Sequence, residues 1–255
     1  MSYVGSTLEV PLGIDGMFGI KRIPITGLLQ ARNITLENNL IEKLGGATRQ
    51  NAVALSGGVA AELDWWPDSV TQRFIVVTDD GGVFRDTGPW TFPTTVLAAG
   101  TLTIAGQSPH LVEGGNEAPG SNKKLFLFTG NDAVRVGSGD FVAMTTIANP
   151  PADWAGARQP RTGAVHQARL WGFLEHTAYF STPDDHEDFT GVGSGSIPIE
   201  PGVGQFISGA LPTRLMLIVG KFPRGLFIVN TSDITIANWR YDPQSRAIGP
   251  AGPYC

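Results

Sequence analysis

Reactive side chains must converge to do chemistry, and this sequence offers few that could. Its four histidines are His110, His166, His176 and His186, the last three spaced ten apart. Imidazoles gathered on one face would suit a metal ion or general acid–base work. Here they fall in a loop, before a strand, at a hairpin turn and in an acidic loop, so they read as surface or packing residues. The densest carboxylate cluster is Pro183-Asp-Asp-His-Glu-Asp-Phe189. Calcium favours such oxygens, but the run is no EF-hand loop and lacks its central Gly. A turn in which Asp side chains accept nearby backbone N–H groups explains it without metal. The single cysteine, Cys255, excludes an intrachain disulfide and a thiolate zinc site. There is no Gly-x-Ser-x-Gly elbow and no Walker loop. Gly191-Val-Gly-Ser-Gly-Ser196 lacks a strand–turn–helix setting and reads as a flexible loop. The expectation is no catalytic residue, no metal and no cofactor.

What remains is recognition chemistry. Aromatic side chains anchor interfaces and also fill cores. Of the six tryptophans, Trp171 reads as core between sheets. Trp154, in the loop Pro151-Ala-Asp-Trp, fits core and interface equally. With the acidic loop it gives the candidate interface: Trp154, Asp184, Asp185, Asp188 and Phe189. Thr231-Ser-Asp-Ile-Thr-Ile-Ala-Asn-Trp239 resembles the Asp-box of sialidase propellers, Ser-x-Asp-x-Gly-x-x-Trp. It lacks the Gly after the Asp, where Ile234 and Thr235 stand, and one such box assembles no catalytic site.

The elements that would position these residues follow from composition and spacing. The 33 Gly and 18 Pro make up a fifth of the 255 residues, against about 12% in an average chain. They would interrupt long helices every few residues. Four segments share a basic residue, an apolar run, a polar turn and a second apolar run. They begin Arg73-Phe-Ile-Val-Val, Lys124-Leu-Phe-Leu-Phe, Arg169-Leu-Trp-Gly-Phe and Arg214-Leu-Met-Leu-Ile, at steps of 51, 45 and 45 residues. Each reads as a β-hairpin. A shorter hairpin, Arg32–Glu37 with Leu40–Leu44, precedes them. Hairpins repeating every 40 to 50 residues point to propeller blades, about five here. Blade strands buried on both faces read as continuous apolar runs, as these do. The expected fold is therefore all-β, a propeller-like array that need not close, with a β-sandwich as the alternative. Residues 1–29 read as an N-terminal arm or closing strand and residues 30–255 as the propeller-like domain.

Charge narrows the partners. The net charge is −5 and charged residues are only 16%, against roughly 25% typically. No basic footprint for gripping phosphate is present. Interface cores are depleted in charge, so the low charge suits a surface covered by neighbours. The N-terminus lacks the basic and apolar regions of a secretory signal. Apolar runs such as Leu215-Met-Leu-Ile-Val219 are strand-sized, with no membrane-spanning segment.

Two segments carry a family resemblance. Arg32-Asn-Ile-Thr-Leu-Glu-Asn-Asn-Leu-Ile-Glu-Lys-Leu-Gly-Gly46 resembles the opening of bacteriophage tail nozzle proteins (tail tubular protein B). Trp154 with Pro160, then Gly163-Ala-Val-His-Gln-Ala-Arg-Leu-Trp171, Ala178-Tyr-Phe-Ser181 and Asp184 to Asp188-Phe189, resembles a further unit of that family. The resemblance implies a non-enzymatic virion protein of the tail, assembled in the host cytoplasm. It implies a homo-oligomeric ring that contacts other tail or portal and adaptor proteins. Genomic DNA would pass through its lumen during ejection without sequence-specific binding. The alternative expectation is a carbohydrate-binding propeller, such as a receptor-binding tail component.

Overall fold

The computed structural model describes residues 34–37, 40–43, 55–68, 71–86, 94–104, 108–115, 123–202 and 204–250. The chain divides into two units, Met1–Gln50 and Asn51–Cys255. The expected boundary between residues 29 and 30, like Cys255, lies outside the described residues. In the first unit β1 (Ile34–Glu37) and β2 (Leu40–Lys43) pair antiparallel, with Glu37 opposite Leu40. This is the short leading hairpin.

Among the described residues, the second unit forms four four-stranded antiparallel sheets. The first blade is β3 (Val59–Trp65), β4 (Arg73–Thr78), β5 (Val83–Arg85) and β6 (Thr94–Leu97). The second is β7 (His110–Gly115), β8 (Lys123–Phe128), β9 (Arg135–Ser138) and β10 (Met144–Thr146). The third is β11 (Thr162–His166), β12 (Arg169–Leu174), β13 (Thr177–Phe180) and β14 (Gly195–Pro198). The fourth is β15 (Phe206–Pro212), β16 (Met216–Phe222), β17 (Leu226–Asn230) and β18 (Arg240–Ser245). Within each blade, strands pair in chain order, so every connection is a simple meander. The four sequence repeats are the second and third strands of the blades. The first strands of adjacent blades lie side by side, β3 by β7, β7 by β11 and β11 by β15. The chain is thus all-β and propeller-like. Four separate sheets replace the two of a sandwich. Of the five or so units expected, four are full blades and the leading one is the two-stranded β1–β2 hairpin.

The repeat folds this way because each middle strand has two apolar faces to bury. In β8, Leu125 and Leu127 face the first blade, packing with Trp65, Ile75, Val77 and Val83. Phe126 and Phe128, on the other face, pack against Leu170 and Leu174 of the third. In β12, Trp171 and Phe173 face the fourth blade and meet Leu217, Val219, Phe227 and Val229. All six residues of β12 are buried. Turns and close approaches use glycine where nothing else fits. Gly81 (φ +84) closes the β4–β5 turn, and a Cβ there would lie 2.0 Å from the Leu102 carbonyl oxygen. Gly172 makes room for the Trp154 ring, which a Cβ would approach to 2.5 Å.

The third seam is centred on Trp171, which is fully buried. Its ring lies 4.9 Å from that of Phe180 and stacks at 5.7 Å on Trp239. Its Nε1–H donates to the His166 carbonyl at 3.2 Å. Trp171→Ala is expected to cost about 3–5 kcal/mol, from lost burial plus the cavity left behind. Urea denaturation would measure this as a lower midpoint with an unchanged slope.

Candidate functional site

The candidate interface residues separate into two groups. Trp154 and Phe189 are 5% and 7% exposed, with ring centroids 4.7 Å apart. They fill the seam between the second and third blades. Tyr179 meets Trp154 edge-on at 5.8 Å and donates its hydroxyl to the Asp153 carboxylate at 2.6 Å. Burial, together with that carboxylate, pushes the Tyr179 phenol up to about 12. Asp184 and Asp185 are exposed, and Asp188 is half-buried. Asp185 accepts the Glu187 N–H at 3.1 Å. Asp188 accepts the Thr190 N–H at 3.0 Å, the Thr190 hydroxyl at 2.9 Å and the Gly191 N–H at 3.1 Å. These bonds, led by the Thr190 N–H, hold its carboxyl below the usual range.

The acidic loop therefore acts as a staple. The Phe189 N–H donates to the Asn149 carbonyl at 3.0 Å and the Asn149 N–H to the Glu187 carbonyl at 3.1 Å. Glu187 forms an ion pair with Lys124 of the second blade. His186 is 3% exposed, and its Nδ1 accepts the Gly115 N–H at 2.7 Å from the end of β7. Among the described residues no group of three or more His, Cys, Asp or Glu is placed to hold a metal ion.

The basic leaders of the repeats have a shared task that spacing alone could not reveal. Three of the four, Arg73, Lys124 and Arg169, reach the connection between the third and fourth strands of the next blade. Arg73 pairs with Asp140 at 2.6 Å, and Arg85 joins the same carboxylate at 3.3 Å. Lys124 pairs with Glu187. Arg169, 8% exposed, lies over the rings of Phe180 and Trp239, both at 5.6 Å. Its guanidinium donates to the carbonyls of Ser181 at 2.7 Å and Gly193 at 2.5 Å. Burial lowers the Arg169 pKa and Asp184 opposes that shift. Arg214, leader of the fourth blade, is exposed and has no ion-pair partner among the described residues. Lys221 is a further buried cation, 0% exposed. It donates to the Ile199 and Glu200 carbonyls at 3.0 and 2.9 Å.

The remaining candidates resolve into structural bonds. Asp233 of the Asp-box-like segment accepts the Thr235 N–H at 2.7 Å and the Asn238 amide at 2.8 Å, while Trp239 donates to the Asp233 carbonyl at 2.8 Å. Near the first strands, a cavity of about 160 Å³ is lined by His110, Arg161, Thr162 and Ser208, among others. There His110 Nδ1 lies 2.8 Å from the Thr162 hydroxyl and accepts the Gly163 N–H at 3.3 Å, tying β7 to β11. His166 is 4% exposed, with Nε2 2.7 Å from the Thr231 hydroxyl. That hydroxyl donates to the Leu215 carbonyl at 2.9 Å, so its one proton is committed and His166 must be the donor.

No protein-family model matches the chain, and no curated protein matches it in sequence. Solved structures resemble it at low identity. YCF48 from Cyanidioschyzon merolae gives a TM-score of 0.44 at 12% identity, over 69% of this chain and 57% of its own. The β-propeller domain of Cps50 (Swd1) from Myceliophteria thermophila gives 0.47 at 10%, over 77% and 57%. YCF48 bound to D1 peptide gives 0.43 at 13%, over 67% and 49%. The chain thus spans about half of the length of the structures it resembles. The class, an all-β propeller-like array, rests on the sheets themselves.

The buried histidines give the seams a pH dependence. Burial lowers the pKa of His166, against the pull of the Thr213 carbonyl. Burial also lowers that of His186, helped by Lys124 and opposed by the Ala168 carbonyl and by Asp185 and Asp184. Once unfolded, both imidazoles titrate near about pH 6.5. The unfolded chain then binds more protons than the folded one as pH falls through that value, so stability is complete above it and lost below. Tm is expected to fall between about pH 7 and pH 5. The double variant His166→Gln/His186→Gln should start from a lower Tm but show a flatter pH profile by circular dichroism.

Proposed function

We propose that this chain is an assembly component, a structural protein whose copies join blade to blade. A nozzle or hub ring of a bacteriophage tail is the specific form we favour. The observation that carries the assembly reading is the outer face of the fourth blade. Leu217, Val219, Phe227 and Val229 point into the third seam and are fully buried. Their alternates point away from it. Leu211, Ile218 and Ile228 are aligned across β15, β16 and β17. Leu211 is 62% exposed and Met216 40%, while Ile218, Phe222 and Ile228 are half-buried. Pro250 crosses this face at Gly220, where a Cβ would meet it at 2.7 Å, which leaves the Leu211–Met216–Ile218 region open. Contiguous apolar exposure of this kind marks interaction surfaces. Exposed Arg214 beside it matches the leaders that elsewhere reach a carboxylate or an aromatic ring of the following blade.

The phage assignment draws on the resemblance of residues 32–46 and 154–189 to nozzle proteins. A net charge of −5 suits a lumen that must release DNA, because basic side chains drive nonspecific phosphate binding.

Light scattering coupled to size exclusion, with negative-stain imaging, tests the reading. The expected result is a closed ring of several copies, dispersed by Ile218→Asp or Met216→Asp without loss of the β-sheet spectrum. A monomer at every concentration would overturn it.

A further inference from the structure

A second surface lies elsewhere and has a different shape. Between the outer strands of the third and fourth blades runs a groove of about 380 Å³. One wall is β14. The other is the 3-10 turn Ile236–Asn238 and the start of β18. The rings of Phe180 and Trp239, 5.1 Å apart, form the floor. This wall is held firmly: Asp233 and Trp239 fix the turn through the bonds given above, and Arg169 lies against the underside of the floor rings. β14 rests directly on the floor at Gly195, where a Cβ would come within 2.9 Å of the Phe180 ring.

Three features say what the groove would accept. The first is the backbone of β14, which among the described residues pairs only with β13. The Ile199 N–H donates to the His176 carbonyl at 2.7 Å, so this position is a hydrogen-bonded pair. Antiparallel pairs alternate, and Ala178 stands opposite Ile197 and Phe180 opposite Gly195. Ile197 and Gly195 therefore turn their amides to β13. Ser196 turns its N–H and C=O to the open edge, as Pro198 does its C=O. Pro198 has no N–H to waste there, the usual place for proline in a sheet.

The second feature is apolar. Val192 and Ile234 are 98% and 99% exposed. Val192 precedes Gly193, whose carbonyl Arg169 holds. Ile234 follows Asp233, whose carbonyl Trp239 holds. Arg169 lies over Trp239, which links the two loops that carry these tips to the groove floor. The third feature is charge. Arg240 is exposed on the groove wall, and its guanidinium is anchored by donation to the Ala237 and Trp239 carbonyls at 2.5 and 2.7 Å. No carboxylate lies within ion-pair distance of it among the described residues.

We propose that this groove binds an extended segment of a partner protein, apolar at alternate positions and carrying a carboxylate opposite Arg240. The segment pairs its backbone with Ser196 as an added strand. Its apolar side chains lie over the Phe180–Trp239 floor and against Val192 and Ile234. A peptide satisfies all three features together, because its backbone pairs an acceptor and a donor with the Ser196 N–H and C=O while its side chains meet the apolar and charged features. Phe180 and Trp239 are 1% and 5% exposed, so the floor is an apolar base touched at its edges by side chains, not the open ring face on which a sugar stacks. The proposal is independent of self-assembly, which involves the opposite side of the fourth blade.

The test is selection of randomised linear peptides on the folded full-length chain, followed by fluorescence-polarisation titration of a labelled peptide so recovered. Recovered peptides should alternate apolar residues and carry Asp or Glu. Ser196→Pro removes the one outward N–H without touching the ladder to β13. It should weaken binding about tenfold or more, a change of about 1.4 kcal/mol. Arg240→Glu should do the same and turn the selection towards Lys and Arg. Val142→Ser, at an exposed position of the second blade, should leave binding unchanged. Three results would overturn the proposal. They are no enrichment over a carrier surface, peptides that neither groove variant weakens, and glycan-array binding lost on Tyr241→Ala, a change to another residue of the groove lining, with no peptide bound.

Discussion

A sheet with two apolar faces cannot stand alone in water, and this constraint orders the whole second unit. Burial is worth roughly 25 cal/mol per Å² of apolar surface, but a single blade can bury at most one face against a neighbour. The second and third blades each have neighbours on both sides and bury both faces of β8 and β12. The meander inside each blade follows from the same need. The connections inside each blade join strands that are neighbours in the sheet, and the chain passes to the next blade after the fourth strand.

Polar groups at the seams obey a second rule. A buried cation needs donors satisfied on all sides, or it costs more than it returns. Arg169 and Lys221 meet this with backbone carbonyls and aromatic rings rather than carboxylates. The carbonyls they use, from Ser181, Gly193, Ile199 and Glu200, lie in loops that no strand partner would otherwise satisfy. The nearer the surface, the more the seams rely on ion pairs: the Asp140 carboxylate that receives Arg73 and Arg85 is half exposed. Such a pair contributes modestly to stability, and it ties two strands of the first blade to the β9–β10 connection of the second.

The sequence showed the middle strands clearly because they combine continuous apolar runs with turn residues. Arg73, Lys124 and Arg169 each fall at the start of the second strand of a blade. The first and fourth strands were harder to see. β14 reads Gly-Ser-Ile-Pro and β18 reads Arg-Tyr-Asp-Pro-Gln-Ser, which look like loops because one side of each faces water. The tasks of the acidic loop were also hidden. Nothing local says that His186 meets Gly115 or that Glu187 meets Lys124, since these partners lie 71 and 63 residues apart. Trp154 was evenly balanced for a related reason: its loop is polar, and only the glycine at 172 in another strand opens the space that buries it.

The fourth blade shows where the burial rule stops applying within the described residues. Its apolar outer lane runs through Leu211, Ile218 and Ile228 and meets Asp242 in β18. Arg240 and Asp242 keep the outermost strand wet. The exposed apolar surface is thus a stripe over the three inner strands, not a whole sheet face. A neighbour that covered it would contact the inner part of the blade and leave the rim in water. Adjacent first strands already meet in that way along the array, β11 against β15 among them. The stripe therefore continues the inner geometry of the existing seams. The groove at the outer rim, with its polar edge and an Arg240 guanidinium held by backbone carbonyls instead of a carboxylate, is suited to a smaller and more polar contact.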